Sequence, residues 1–495
     1  MVMFEAFKLL MDPLTLGVML ACGIYGLFVG AIPGFTATMA VALLVPATYF
    51  LDPVPALAGI VTLAAMAIFA GDIPGALLRM PGTPASAAYA DEAHKMTLKG
   101  EAETALGVGL LASAAGGVFG ALLLMFAAPS LARIAISFSS FEYFWLACLG
   151  LVAAIAATGG HPAKAMISLF IGLTIAMVGL DPVSGQQRFT FGNSMMIGGL
   201  GFIPILIGLF AISEVFRFAL SPGDKLKPPP MSVGGLFTGV FGHLRRLRWS
   251  VARGAALGSI VGAIPGAGAD IAAYVSYALA RRLSPRRKDF GTGIVDGIAP
   301  ATAANNAAVG GAFIPATVLG IPGDSLSAVV IGVLYMKGLN PGPTVFLMQP
   351  ELLYAIFLAF LIANIMIVPL GFLAIKSFRH ILSAPRGVVM AFVTMACMVG
   401  AFAVENTPFA ILVMLGAGLL GFFMEENGIP LSPAILGVVL GPILEEMFLT
   451  SLMKAHGSFG AFFVRPVAGS LAAITILVIV VPHALALWRK GRMSE

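Results

Sequence analysis

The residues of this chain that can do chemistry gather beside helix-breaking Pro-Gly pairs in otherwise apolar sequence. Gly34, Thr36 and Thr38 follow Pro33; Asp72 and Arg79 precede Pro81-Gly82, and Thr83 and Ser86 come just after it. Gly266, Gly268 and Asp270 follow Pro265, while Gly323, Asp324, Ser325 and Ser327 follow Pro322. Asn305-Asn306 stands in a run of alanines and glycines. Pro removes a backbone donor and Gly tolerates unusual φ, so each pair should interrupt a helix and free N–H and C=O groups. N–H groups at a half-helix N-terminus carry partial positive charge and suit a carboxylate; nearby carbonyls and hydroxyls suit a cation such as sodium.

Anion contacts are therefore expected from Gly34, Thr36, Arg79, Thr83, Ser86, Gly266, Gly268, Asn305, Asn306, Gly323, Asp324, Ser325 and Ser327. Sodium is expected near Thr38, Asp270, Asn305 and Asn306. Arg79 could clamp a carboxylate bidentately; equally it could satisfy Asp72 or snorkel to the interface. Adjacent amides among small apolar residues are costly unless satisfied, either by helix-to-helix hydrogen bonds or by lining a cavity. Plain kinking and tight packing is the competing account of any one Pro-Gly; four at repeat positions favour a ligand site. Glu405, Glu425, Glu426, Glu445 and Glu446 sit at expected span ends, facing solvent.

Enzyme chemistry is not expected, nor is a cofactor. The six histidines are scattered without metal-ligand spacing, and Cys22, Cys148 and Cys397 read as small apolar residues inside spans. There is no Walker Gly-Lys-Ser/Thr, and Gly266-x-Gly268 lies between apolar arms rather than between a strand and a helix.

The elements that must hold these residues are membrane helices. Of 495 residues 59% are hydrophobic and only 10% charged, with mean hydropathy +0.99, where a soluble domain carries about 25% charge. Long apolar runs favour helices over barrel strands, and about 11–13 membrane segments fit. The +5 net charge reads as loop cations that orient the chain, not as a nucleic-acid surface. The first apolar stretch leads directly into the Pro33-Gly34 motif, so no cleavable leader is expected.

Gly30-Ala31-Ile32-Pro33-Gly34 recurs letter for letter as Gly262-Ala263-Ile264-Pro265-Gly266, an offset of 232. Ile73-Pro74, Pro81-Gly82 and Ser86 recur as Ile314-Pro315, Pro322-Gly323 and Ser327, an offset of 241. The extra residues fall at the basic loop around Arg281–Lys288, whose first-half counterpart, Leu51–Pro55, has no cation. Loops of opposite charge character suggest two inverted repeats. A first half with additional spans (1–220), a basic cytoplasmic linker (221–253) and a second half with additional spans (254–495) follow, with a mixed-charge loop from Asp91 to Glu103.

Longer motifs carry a family resemblance. Pro265-Gly266-Ala267-Gly268-Ala269, Asn305-Asn306-Ala307-Ala308, Leu319-Gly320-Ile321-Pro322-Gly323 and Gly338-Leu339-x-Pro341-Gly342-Pro343 resemble the large membrane (permease) subunit of the tripartite tricarboxylate transporter family. So do Pro81–Ala87 with Lys99–Ala102, the loop Asp181–Gly192 and the run Leu436–Glu446. The resemblance implies a secondary carrier of the bacterial inner membrane for an organic di- or tricarboxylate, coupled to sodium or protons. It implies two partners, a small four-span membrane subunit and a periplasmic solute-binding protein. Thr302 departs from the family pattern, which commonly has glutamate before the Asn pair, and Asp72 and Arg79 replace small or neutral residues. A stand-alone carboxylate carrier or ion-coupled exchanger is the alternative.

Overall fold

A computed structural model of the chain describes residues 2–32, 35–157, 162–181, 184–220, 235–266, 268–383 and 386–493. The first part comprises α1 (Val2–Leu10), α2 (Pro13–Gly30), α3 (Ala37–Thr48), α4 (Pro53–Ala70), α5 (Asp72–Leu78), α6 (Ala87–Leu98) and α7 (Ala102–Ala135). Next come α8 (Ser140–Ala157), α9 (Pro162–Ala176), α10 (Phe202–Ile207) and α11 (Ser213–Leu220). The second part comprises α12 (Val240–Gly262), α13 (Gly268–Leu283), α14 (Val295–Leu319), α15 (Ser325–Met336), α16 (Val345–Met348) and α17 (Pro350–Ser383). The chain finishes with α18 (Arg386–Glu405), α19 (Pro408–Glu426), α20 (Leu431–Lys454), α21 (Ala461–Val464) and α22 (Pro466–Met493).

The protein is an all-α polytopic membrane protein. Among the described residues seven helical stretches are long and apolar enough to cross a membrane, and six shorter apolar helices accompany them. One two-stranded ribbon, Gly179–Leu180 with Gln187–Arg188, belongs to the polar loop after α9. Arg188 in that loop grips Glu445 of α20 with two guanidinium nitrogens, at 2.6 and 2.9 Å, with Asp181 at 3.4 Å. The bonded Glu445 holds the Arg188 guanidinium above even its usual high range. Glu445 is thus an ion-pair partner and not a free span-end carboxylate; Glu425 likewise pairs with Arg217.

At the centre stand α4 and α14. All of α14 is buried, and so is α4 after its first residue, because both are built mostly of small, apolar residues right round the helix, and the polar side chains of α14 face other helices. Glycine backbones let their neighbours come close. A Cβ on Gly26 or Gly30 of α2 would lie 2.7 or 2.6 Å from the Leu63 or Ala67 carbonyl of α4. A Cβ on Gly258 or Gly262 of α12 would meet the Ala304 or Ala308 carbonyl of α14 in the same way. Those positions correspond at the sequence offsets, so one helix crossing occurs twice. α7 then packs along α14 through Gly116 and Gly120, and α17 packs against α4.

Two stretches differ from expectation. The segment expected as a loop from Asp91 to Glu103 is largely helix, because Ala and long side chains continue α6 to Leu98 and α7 begins at Ala102. The basic residues Arg245 to Arg253 lie on α12, which runs without a break into Gly258–Gly262; residues 221–234 of the expected linker, like Pro33 and Gly34, lie outside the described residues.

Gly258→Val should overpack the α12–α14 crossing at a cost of about 1–3 kcal/mol. We expect a lower melting temperature and less monodisperse protein on detergent size-exclusion chromatography. Gly17→Ala, where an added Cβ meets nothing within 4 Å, should leave both unchanged.

Candidate functional site

The loops 79–86 and 320–327 have the same internal geometry. Each leaves its helix through a left-handed residue, Arg79 (φ 59°, ψ 27°) or Gly320 (φ 69°, ψ 18°). Each then enters the next helix through a reciprocal cap. The Thr83 N–H donates to Ser86 Oγ at 3.2 Å, and the Ser86 N–H donates back to Thr83 Oγ1 at 3.1 Å. The Asp324 N–H donates to Ser327 Oγ at 2.9 Å, and the Ser327 N–H to Asp324 Oδ1 at 2.8 Å. Such caps satisfy two orphan donors of a helix start.

Each loop presses on the first break of its own half. A Cβ on Gly82 would lie 2.9 Å from the Gly30 carbonyl and 2.6 Å from Gly71; one on Gly323 would lie 2.6 Å from the Gly262 carbonyl and 2.8 Å from Ala312. The two halves also touch. The Asp270 carboxylate lies near the backbone of Ala85, and Asp324 lies near both the backbone of Ala269 and Asp270. Gly266 (φ 80°) sits against the backbone of Ala153 and Ala154 in α8, and Gly268 (φ 58°) against Asp324. Thr83, Ser86, Gly268, Asp270, Gly323, Asp324 and Ser327 therefore share one region, where α6, α13 and α15 begin. Ser325 stands at its edge and donates to Ser432 Oγ at 2.8 Å.

Other expected residues lie elsewhere. Thr36 caps α3 by accepting from the Met39 N–H at 3.2 Å, and Thr38 is half-buried on the same helix. Arg79 reaches neither Asp72 nor the shared region; its Nε donates to Asp91 at 2.8 Å on an exposed surface. Asn305 and Asn306 part company. Asn305 Nδ2 donates to the Tyr89 hydroxyl at 3.1 Å, which donates to Asp72 Oδ1 at 2.5 Å. Asn306 Nδ2 donates to the Ser113 carbonyl of α7 at 3.2 Å and to Asn364 Oδ1 of α17 at 2.8 Å. Asp270, Asn305 and Asn306 thus have separate surroundings, and Thr38 lies on α3. Gly34 lies outside the described residues.

Three polar side chains here went unselected in the sequence. Tyr89 bridges Asn305 and Asp72. Asn364, a lone amide in a long apolar helix, carried the signal that a polar residue in a span needs a partner. Glu92 is buried and accepts from the N–H groups of Gly291, Gly293 (2.7 Å) and Ile294 (3.1 Å) and from the Tyr277 hydroxyl (2.9 Å). It ties α6 to the start of α14, and Lys95 and Lys99 add bonds to the Gly291 and Gly293 carbonyls.

Repeated broken helices whose tips meet inside a polytopic membrane protein are the architecture of a secondary-transporter-like protein. A sequence profile of the Tripartite tricarboxylate transporter TctA family matches residues 16–436, and the chain belongs to that family. An "Uncharacterized 52.8 kDa protein in TAR-I ttuC' 3'region" of Agrobacterium vitis is 34% identical over 456 residues, 92% of this chain and 90% of that protein. An "Uncharacterized protein in TAR-II ttuC' 3'region" of the same organism is 31% identical over 223 residues, 45% of this chain and 92% of that protein. No solved structure matches. The protein is a multi-pass component of a tripartite tricarboxylate transporter, a kind of assembly that implies partner subunits.

Asn306→Ala should strand Asn364 Oδ1 and cost about 1–3 kcal/mol of stability. The Asn306→Ala, Asn364→Ala double variant should cost less than the sum of the singles, because they share one bond. Thermal unfolding of the four proteins in detergent measures this coupling.

Proposed function

We propose that the chain is the permease subunit of a secondary active importer for organic di- or tricarboxylates. It resides in the bacterial inner membrane, is driven by a sodium or proton gradient, and is fed by a periplasmic solute-binding protein. A small four-span membrane subunit is its other partner. The observation that carries this reading is the meeting of the first-half loop at Thr83–Ser86 with the second-half loops at Gly266–Asp270 and Gly323–Ser327. Three helices begin there, and helix starts offer N–H groups and positive dipole ends to a carboxylate.

Family membership supports the carboxylate and the partners. The opposite charge of equivalent loops, together with the crosswise packing of α4 on α17 and α14 on α7, supports two inverted repeats. In such carriers one bundle moves against the other around a fixed site. Gly266, Gly268, Gly323, Asp324, Ser325, Ser327, Thr83 and Ser86 are our residues for the substrate. Asn305 is assigned to the ion.

Proteoliposomes holding the chain and its small subunit should accumulate a labelled carboxylate, from a panel of di- and tricarboxylates, only with both binding protein and an inward ion gradient. Ser86→Ala and Ser327→Ala should each cut uptake about tenfold or more by opening the reciprocal caps. Equal uptake without the binding protein would establish the stand-alone carrier instead. Equilibration without accumulation would remove ion coupling.

A further inference from the structure

A second polar site lies apart from the loop tips, between α5, α6 and α14. A small cavity with room for about one water-sized occupant is walled by Asp72, Ser86, Tyr89 and Thr302 among apolar neighbours that include Phe69, Leu106 and Ile298. Of these walls Asp72 is 8% exposed and Thr302 0%; Asn305, 1% exposed, stands behind them and joins the group through its bond to Tyr89. Three oxygens of this group have no hydrogen-bond partner, namely Asp72 Oδ2, Thr302 Oγ1 and Asn305 Oδ1. Native interiors seldom leave such groups unmatched, so each needs an explanation.

Hydrogen-bond direction fixes what is missing. An ionised Asp72 only accepts, so the Tyr89 hydroxyl must donate to Oδ1. That hydroxyl has then spent its proton and accepts from the Asn305 amide nitrogen. The amide is thereby oriented with Oδ1 as the free end. Thr302 stands one turn before Asn305 on α14, on the same helix face. The oxygens left over belong to one carboxylate, one amide carbonyl and one hydroxyl. All are hard ligands of the kind that bind alkali and alkaline-earth cations.

Charge points the same way. Among the described residues Asp72 forms no ion pair, and the nearest arginine in sequence, Arg79, is held by Asp91. A buried carboxylate without a counter-charge costs several kcal/mol. A water in the cavity would supply donors but no charge. A proton on Asp72 would supply charge and one donor, leaving another acceptor unmatched. A single monovalent cation in the cavity would answer the charge of Asp72 and the unmatched oxygens of the two polar walls, Asp72 and Thr302, at once. With one carboxylate, a divalent ion would be left over-charged.

We infer that Asp72, Thr302 and Asn305 form a buried sodium site, with Tyr89 fixing the two side chains that flank it. The site is distinct from the loop tips where the carboxylate is proposed to bind, yet Ser86 belongs to both: it walls the cavity and caps α6 at the tip. A cation here would brace the start of α6, so occupancy of one site is felt at the other. This deepens the ion-coupled reading and rests on it only for its role in transport.

The test uses the full-length chain in detergent, without substrate or binding protein. Thermal stability is followed as sodium chloride replaces choline chloride at constant ionic strength, together with direct binding of radiolabelled sodium. The expected result is saturable stabilisation and binding in the native protein and in Thr302→Ser. Affinity should fall about tenfold or more in Asp72→Asn and in Thr302→Val. Unchanged sodium affinity in either of these variants overturns the site. So does native stability that follows pH but not sodium, which would make Asp72 a proton carrier. If Asp72→Asn does not fold, the Thr302→Ser and Thr302→Val pair decides alone. Sodium binding with no carboxylate uptake would sink the transport reading and leave this site standing; gradient-driven uptake without sodium binding would do the reverse.

Discussion

Every backbone group freed by a broken helix must find a partner inside the protein, because lipid offers none and each orphan costs several kcal/mol. The rest of this structure depends on how that demand is met at two places. Thr83 with Ser86, and Asp324 with Ser327, exchange side-chain and backbone bonds across three residues. The loops close on themselves before they touch anything else. Each closed loop then lies beside the start of α13, the first near Asp270 at Ala85 and the second with Asp324 near Ala269. A site assembled this way is preformed, since its loops are stabilised whether or not a ligand is present.

Holding those loops in register requires a rigid centre, and α4 and α14 supply it by being buried all round. The two crossings beside them show that close approach matters more than which residue provides it. In the first half Cys22 of α2 packs into the space above Gly59 of α4. At the corresponding crossing Gly254 of α12 lies under the carbonyl of Pro300 in α14. The glycine has changed helices and the fit survives. Small residues drive such packing in membranes, where burying apolar surface from lipid gains little.

What could be read from the residues, and what could not, follows from range. Pro and Gly act on their own backbone, so the breaks, their repetition and the recurrence of Ser86 as Ser327 were legible without coordinates. The membrane class was legible because hydropathy sums over many residues. Glu92, Tyr89 and Asn364 were not, because their partners lie far along the chain: Glu92 meets residues 277 and 291–294, and Asn306 meets both α7 and α17. Arg79 misled for the same reason. Its place beside the break suggested a substrate clamp, with a pair to Asp72 or a reach to the interface as alternatives; its left-handed backbone, at the position Gly320 holds in the other half, turns it to the surface and to Asp91.

The acids raise an electrostatic constraint on any anion that enters. Asp270 and Asp324 share the loop region, and Asp72 walls the same cavity as Ser86, so a carboxylate approaching the helix starts meets several acids of the protein's own. Three helix N-termini, each equivalent to about half a positive charge, offset only part of this. At low local dielectric, like charges are costly enough that the balance must come from a cation or from protons on the acids. On the proposed function, binding of an anionic substrate and binding of a cation are then mutually favourable before any conformational change is invoked. Such reciprocity is what coupling between two sites requires. Ser86, touching the buried cavity on one side and the loop tip on the other, is the shortest physical path by which it would travel.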